Sequence, residues 1–353
     1  MKGARGAFLT LGLLAMTACG SGPSASPLVS SPRESLAPSA MPTGASPSTN
    51  RAIGQIVFED WMIDAERHQL YIGQADGSNF RRLITSAFDD ARPSLSPDGT
   101  TVLFQRLGDG PDQLYFVNVD GTNLRPLAVC TGGCGNEALN DPWSPDGSRL
   151  AVRRIEGFGT ATPQVNLWIM NLDETDLVQV TNNPAGSQLE DDRPAWSPDG
   201  RHLVFVRYDH NVTPQLGAIF TVNIDGTQLT QVTPWELDGN EPDWSPDGTL
   251  IAFNVPGESL VPGREENIFT IHPDGTGLAQ LTAHLSAGPD GAQGTFDPSW
   301  SPEGSQLIFT HLPSTDGVAD LYVINADGTG LRVLAKTTDL NEGHAVWGVY
   351  PAS

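Results

Sequence analysis

Basic residues are scarce in this 353-residue chain: 19 Lys and Arg stand against 42 Asp and Glu, a formal net charge of −23. Such an excess repels nucleic acid and anionic lipid headgroups, and it attracts cations or basic partner surfaces. Nucleic-acid binding is therefore excluded as an expectation. Long apolar runs are lacking as well. FLTLGLLAM, residues 8–16, is far too short to span a bilayer. Catalytic signatures are missing: neither G-x-S-x-G nor H-E-x-x-H occurs, and the seven His are scattered without metal-ligand spacing. No helix-period stretch of useful length competes with the strand patterns described below.

The chain has three cysteines, Cys19, Cys130 and Cys134. Residues 1–18 read as an export signal, with Lys2 and Arg5 ahead of the short apolar run. The run ends in MTACG, where small residues precede Cys19; this resembles the lipobox of bacterial lipoproteins and implies that Cys19 becomes the lipid-modified first residue. After removal of the leader, 17 basic residues face 42 acidic ones, a net of −25. In an exported chain, Cys130 and Cys134 of CTGGC are expected to pair as a disulfide closing a small loop; a metal site there would need further ligands.

Residues 19–50 are rich in Pro, Ser, Gly and Ala and hold almost nothing that could be buried, so they cannot offset the entropy of ordering. They read as a tether reaching roughly 90 Å if Pro-rich and extended, or about 30 Å as a random coil.

Residues 51–353 are built from two alternating motifs. The first is SLSPDGTTVLF at 94, WSPDGSRLAV at 143, WSPDGRHLVF at 196, WSPDGTLIAF at 244 and WSPEGSQLIF at 300, with VWGVYP at 346 as a truncated copy. The second runs from LYIGQADGSN at 70 to LYVINADGTG at 321. Both spell hairpins. Pro presets φ for the first turn position and Gly supplies the positive φ that closes the turn, while Asp-Gly joins runs of alternating apolar and polar residues. Each unit is thus four short strands over about 50 residues, within the range of a propeller blade.

The expected fold is all-β: a six-bladed β-propeller of four-stranded blades. One blade combines the two chain ends, pairing a strand near Ile56 with one near Trp347 and so removing an open sheet edge. Trp143, Trp196, Trp244, Trp300 and Trp347, with Leu95, occupy one position in each unit and are expected to pack between blades.

The shared consensus, x-P-x-W-S-P-D-G followed by an apolar strand and then I-Y-x-x-N-x-D-G-T, resembles the WD-like propeller repeat of the TolB family over residues 53–350. TolB proteins carry an α/β domain ahead of a six-bladed propeller and bind the peptidoglycan-associated lipoprotein and other envelope proteins. Here a lipid-anchored tether stands in place of that domain. The resemblance therefore implies an envelope propeller without the leading domain. The same repeat precedes the hydrolase domain of prolyl oligopeptidase-like enzymes, and no such domain is expected after Tyr350.

Strand direction puts the short, repeated turns on one face and the variable connections on the other, where binding loops on a rigid scaffold sit. Acids accumulate just before each first strand, at the expected mouth of the central channel: Asp89 and Asp90, Asp141, Asp191 and Asp192, Glu241, Asp297 and Glu342, with His344 in the last copy. Asp90, Asp141, Asp192, Glu241, Asp297, Glu342 and His344 are the candidate residues for binding a partner or a cation such as Ca²⁺. Arg92 and Arg193 could neutralise two of the acids, and strand-start turn residues that are simply solvated or paired would look the same in sequence.

The expectation is a monomeric, non-catalytic, lipid-anchored propeller that binds an envelope protein, a basic peptide or a cation, facing the periplasm or exterior. The alternative is a metal-assisted lyase, lactonase or glycan hydrolase acting in the channel.

Overall fold

The computed structural model describes residues 54–62, 67–108, 113–127, 135–137, 141–157, 160, 163–256, 266–282, 294–312, 319–335 and 341–349, all within the compact unit of residues 49–353. The leader, the tether, Cys19, Cys130 and Cys134 lie outside the described residues.

The repeated motifs close the turns expected of them. In Ser96-Pro97-Asp98-Gly99, the Gly99 N–H donates to Ser96 O at 2.8 Å with Gly99 at φ +71°. Asp98 Oδ1 accepts from the Ser96 hydroxyl at 2.7 Å and the Thr100 N–H at 3.0 Å. The Asp-Gly hairpins are one residue longer than a two-residue loop: Asn118 N–H donates to Thr122 O at 2.9 Å, enclosing Val119, Asp120 and Gly121, and Gly121 takes the left-handed position at φ +88°.

These turns stitch antiparallel strands into four four-stranded sheets and one eight-stranded sheet. Six separate sheets were expected; five hydrogen-bonded ones are observed. The difference arises where Gln164–Asn171 meets Leu189–Trp196 in a single parallel pairing, Val165 with Glu190, which fuses two four-stranded units into one ladder. The first strands of successive units, among them Asp89–Leu95, Leu189–Trp196, Asn240–Trp244, Gly294–Trp300 and Glu342–Gly348, contact one another around a central channel. This is a β-propeller. Gln55–Met62 pairs antiparallel with Glu342–Gly348, Ile56 opposite Trp347, so one sheet is made from the two ends of the propeller.

Hydrophobic clusters fill the spaces between neighbouring sheets. Trp143, Trp196, Trp300, Trp347 and Leu95 are buried in five of them, and Trp244 packs half-buried against a sixth. The Trp row is core packing between blades. At on the order of 200 Å² per ring it is a large share of the inter-blade apolar burial.

Candidate functional site

The inner strands share a bulge. Register shifts fall between Ala91 and Ser94, Asp192 and Ala195, Asn240 and Asp243, and Phe296 and Ser299. Each contains a proline, which has no N–H for the ladder, preceded by a residue in the left-handed region: Arg92 at φ +51°, Arg193 at +53°, Glu241 at +53° and Asp297 at +55°. His344 occupies the same position in the closing strand at φ +43°. The position lies three residues before the conserved-spacing Trp or Leu, and it carries charge in each of these five strands.

The candidate acids of the sequence therefore do not form one ring. Asp90 and Asp191 sit two residues before the bulge and turn into their own blades. Arg106 holds Asp90 through Nε at 2.5 Å and Nη2 at 2.9 Å, and Arg207 holds Asp191 at 2.6 and 2.8 Å. Both carboxylates are fully buried. Glu342, also fully buried, accepts from the Leu321 N–H at 3.2 Å. These three carboxylates are held by partners within their own blades or the neighbouring strand.

Asp192 accepts from the Arg193 N–H at 2.8 Å and lies 3.7 Å from Arg153 Nε. Asp89 bonds His68 Nδ1 at 2.9 Å. The expected neutralising role of Arg193 is realised across blades: its guanidinium pairs with Glu241 and lies 3.7 Å from Asp297 Oδ1. Arg92 uses its backbone instead, donating N–H to Glu59 Oε2 at 2.5 Å.

Glu241, Asp297 and His344 converge, each with one donor atom within 4.8 Å of the others. Glu241 Oε2 accepts from the Asp297 N–H at 2.8 Å, and His344 Nε2 lies 3.2 Å from Asp297 Oδ1. On its other side His344 Nδ1 is 2.7 Å from Glu59 Oε1. Burial disfavours the imidazolium, but Asp297 and Glu59 outweigh it and raise the His344 pKa to about 9. Burial likewise pushes Glu59 up, and His344 with His68 and the Arg92 N–H bring it down to about 2. Asp297 is raised well above the carboxylate range by burial and by Glu241.

Asp141 and Asp243 lie deeper in the channel, Asp243 two residues beyond the bulge residue Glu241. Burial raises Asp141 to about 7; burial and the facing Asp141 raise Asp243 to about 8. Asp243 Oδ2 accepts from the Trp300 N–H of the next blade at 2.9 Å. Both line a cavity of about 30 Å³ together with Arg92, Asp297 and His344, and both also border a cavity of about 330 Å³ on the short-turn side.

Sequence reasoning missed Glu59, Asp243, Arg106 and Arg207. No sequence signal singles out Glu59, which lies in the strand Gln55–Met62, and Asp243 is hidden inside the repeat as EPDW. The two arginines do carry a signal, each placed 16 residues after the Asp it holds.

The chain is a β-propeller protein with a charged channel. Residues 134–286 match the TolB beta propeller domain family. The chain is 24% identical over 253 residues to the "uncharacterized peptidase YuxL" of Bacillus subtilis, covering 68% of this chain and 33% of that protein. It is 30% identical over 128 residues to the Tol-Pal system protein TolB of Anaeromyxobacter dehalogenans (strain 2CP-C), covering 36% of this chain and 26% of that one. It therefore spans a third or less of the length of these curated relatives. The crystal structure of TolB from Acinetobacter baumannii superposes with a TM-score of 0.63 at 16% identity, over 85% of this chain and 68% of that one. The chain is therefore similar to TolB proteins in its propeller fold and in the sequence of residues 134–286. No helix among the described residues is long and apolar enough to cross a membrane.

Proposed function

We propose that this protein is a non-catalytic binding module of the bacterial cell envelope, facing the periplasm or exterior as a monomer. Residues 1–18 direct export, a lipid on Cys19 anchors the chain, residues 19–50 form the tether, and residues 51–353 form a six-bladed propeller. The blade count takes the eight-stranded sheet as two blades joined at Val165 and Glu190, which with the four other sheets makes six.

The propeller captures a protein or basic peptide, or a cation, at the charged mouth of its channel. The observation that carries this reading is the row of bulge residues Arg92, Arg193, Glu241, Asp297 and His344. Their left-handed backbone is a sparsely populated conformation for residues other than glycine, and Arg92, Asp297 and His344 among them line one channel cavity. The likeness to TolB supports an envelope role based on protein binding.

The test is capture from envelope extracts by the full chain, compared with a variant carrying Asp192→Asn, Glu241→Gln and Asp297→Asn. Loss of a specific captured protein supports the reading; identical capture by the folded variant ends it. Incorporation of labelled palmitate, abolished by Cys19→Ala, tests the anchor.

The alternative, a metal-assisted lyase, lactonase or glycan hydrolase, is favoured by Asp141 and Asp243. Their pKa values of about 7 and 8 suit one carboxyl to act as acid while its neighbour acts as base. Turnover of a uronate, lactone or glycan substrate that Asp243→Asn abolishes would favour it.

A further inference from the structure

We propose that Glu241, Asp297 and His344 form a mononuclear site for a borderline divalent transition metal, binding Zn²⁺ in preference to Ca²⁺. The proposal deepens the cation part of the reading above, and it stands or falls independently of any protein partner.

The three residues occupy the same bulge position on three successive first strands, so one backbone device aims all three side chains. Their donor atoms lie within 4.8 Å of one another. Ligand atoms sharing one zinc ion sit about 3–4 Å apart, given bonds of about 2.0–2.2 Å. Small rotations of the side chains would therefore close the site around an ion.

A second observation points to a ligand. Asp297 is 7% exposed, and apart from its contact with the Glu241 carboxylate neither of its oxygens has a hydrogen-bond partner among the described residues; His344 Nε2 is likewise without one. Buried polar atoms are seldom left in that state. The nearest cationic atoms stand at 3.2 Å for His344 Nε2 and 3.7 Å for Arg193 Nη1. One ion between Asp297 and His344 gives both a partner.

His344 is oriented as metal-bound imidazoles are. Its Nδ1 faces Glu59 Oε1 at 2.7 Å, so a carboxylate holds one ring nitrogen and leaves Nε2 directed at Asp297. Arg193, the nearest guanidinium, is already engaged by Glu241 Oε1. The adjoining cavity of about 30 Å³, lined by Asp297 and His344, has space for a water to complete the coordination.

The donor set decides the ion. Calcium takes six to eight oxygen ligands, whereas two carboxylates and an imidazole suit zinc and its neighbours.

The test is calorimetric titration of the chelator-treated, tag-free full chain carrying Cys19→Ser, Cys130→Ser and Cys134→Ser, so that thiols do not contribute. One equivalent of Zn²⁺ is expected, bound at least 10-fold more tightly than Ca²⁺. Asp297→Asn and His344→Ala should each weaken Zn²⁺ by at least 10-fold, Glu59→Gln by about 10–100-fold, and Asp225→Asn on the short-turn face not at all. Zinc binding that survives both ligand substitutions, binding no tighter than millimolar, or calcium bound as tightly as zinc overturns the proposal. X-ray absorption of the zinc-loaded parent chain gives a reading that does not depend on variants folding. A nitrogen and oxygen shell with one imidazole is expected, and a shell without imidazole refutes the assignment. Partner capture by metal-stripped protein is scored separately, so failure of the binding-module reading leaves the metal result intact.

Discussion

His344 Nδ1 lies 2.7 Å from Glu59 Oε1, so a hydrogen-bonded ion pair ties the last strand of the propeller to its first. A β-ladder of five paired positions, from Gln55 with Gly348 to Asp60 with Glu342, runs beside it. The pair is therefore a lock on the ring closure.

His344→Ala should lower stability by about 1.5–3 kcal/mol, the range for hydrogen bonds to charged groups. The pH dependence follows from the two shifts. His344 is raised from 6.5 to about 9, so its contribution is complete below about 6.5 and lost as pH climbs through 9. Glu59 is lowered from 4.5 to about 2, so its contribution is complete above about 4.5 and lost as pH falls through 2. Urea denaturation at pH 5.5 and pH 10 checks this: the difference between parent and variant should shrink at the higher pH.

Asp141 and Asp243 act in the same sense as His344 and opposite to Glu59. Their folded pKa values of about 7 and 8 exceed the ordinary 3.8, so the folded state holds protons that the unfolded state has released. Stability contributed by these groups falls as pH rises from about 4 to 8. Asp243→Asn removes one of the two charges and should flatten that fall by on the order of a few kcal/mol, read from denaturation midpoints across the range.

Arg207→Met leaves Asp191 fully buried without its bidentate partner, and should cost about 3–5 kcal/mol. Adding Asp191→Leu removes the stranded charge and should recover part of the loss. A double-mutant cycle in urea gives the coupling; simple additivity would show that the pair is not held as described.

Gly121 stands at φ +88°, and a Cβ there would meet Leu83 O at 2.7 Å, whereas a Cβ on Gly108 would meet nothing within 4 Å. Gly121→Ala should cost about 1–3 kcal/mol, and Gly108→Ala should be neutral or slightly stabilising. Thermal melts of the two variants separate a turn that needs its glycine from one that does not.

Much of the fold was legible because strand and turn signals are local. SPDG and Asp-Gly each encode a turn within four or five residues, and alternation assigns the faces. The pairing of Ile56 with Trp347 was legible too, since two incomplete units at the ends complement each other. The site was less so. Asp90, Asp191 and Glu342 lie near the bulge residues in sequence, but a shift of two residues along a strand and a bulge between them decide which groups reach the channel.

Sequence alone, then, determined a repeated all-β architecture, its turns, its Trp packing row and its acidity, because each depends on neighbours along the chain. Tertiary structure alone decided that Glu241, Asp297 and His344 meet, that Arg106 and Arg207 neutralise buried acids, and that Asp141 faces Asp243. Those encounters join residues 16 to 103 positions apart. They are fixed by how neighbouring blades pack and by the left-handed residue three places before each Trp or Leu of the inner strands.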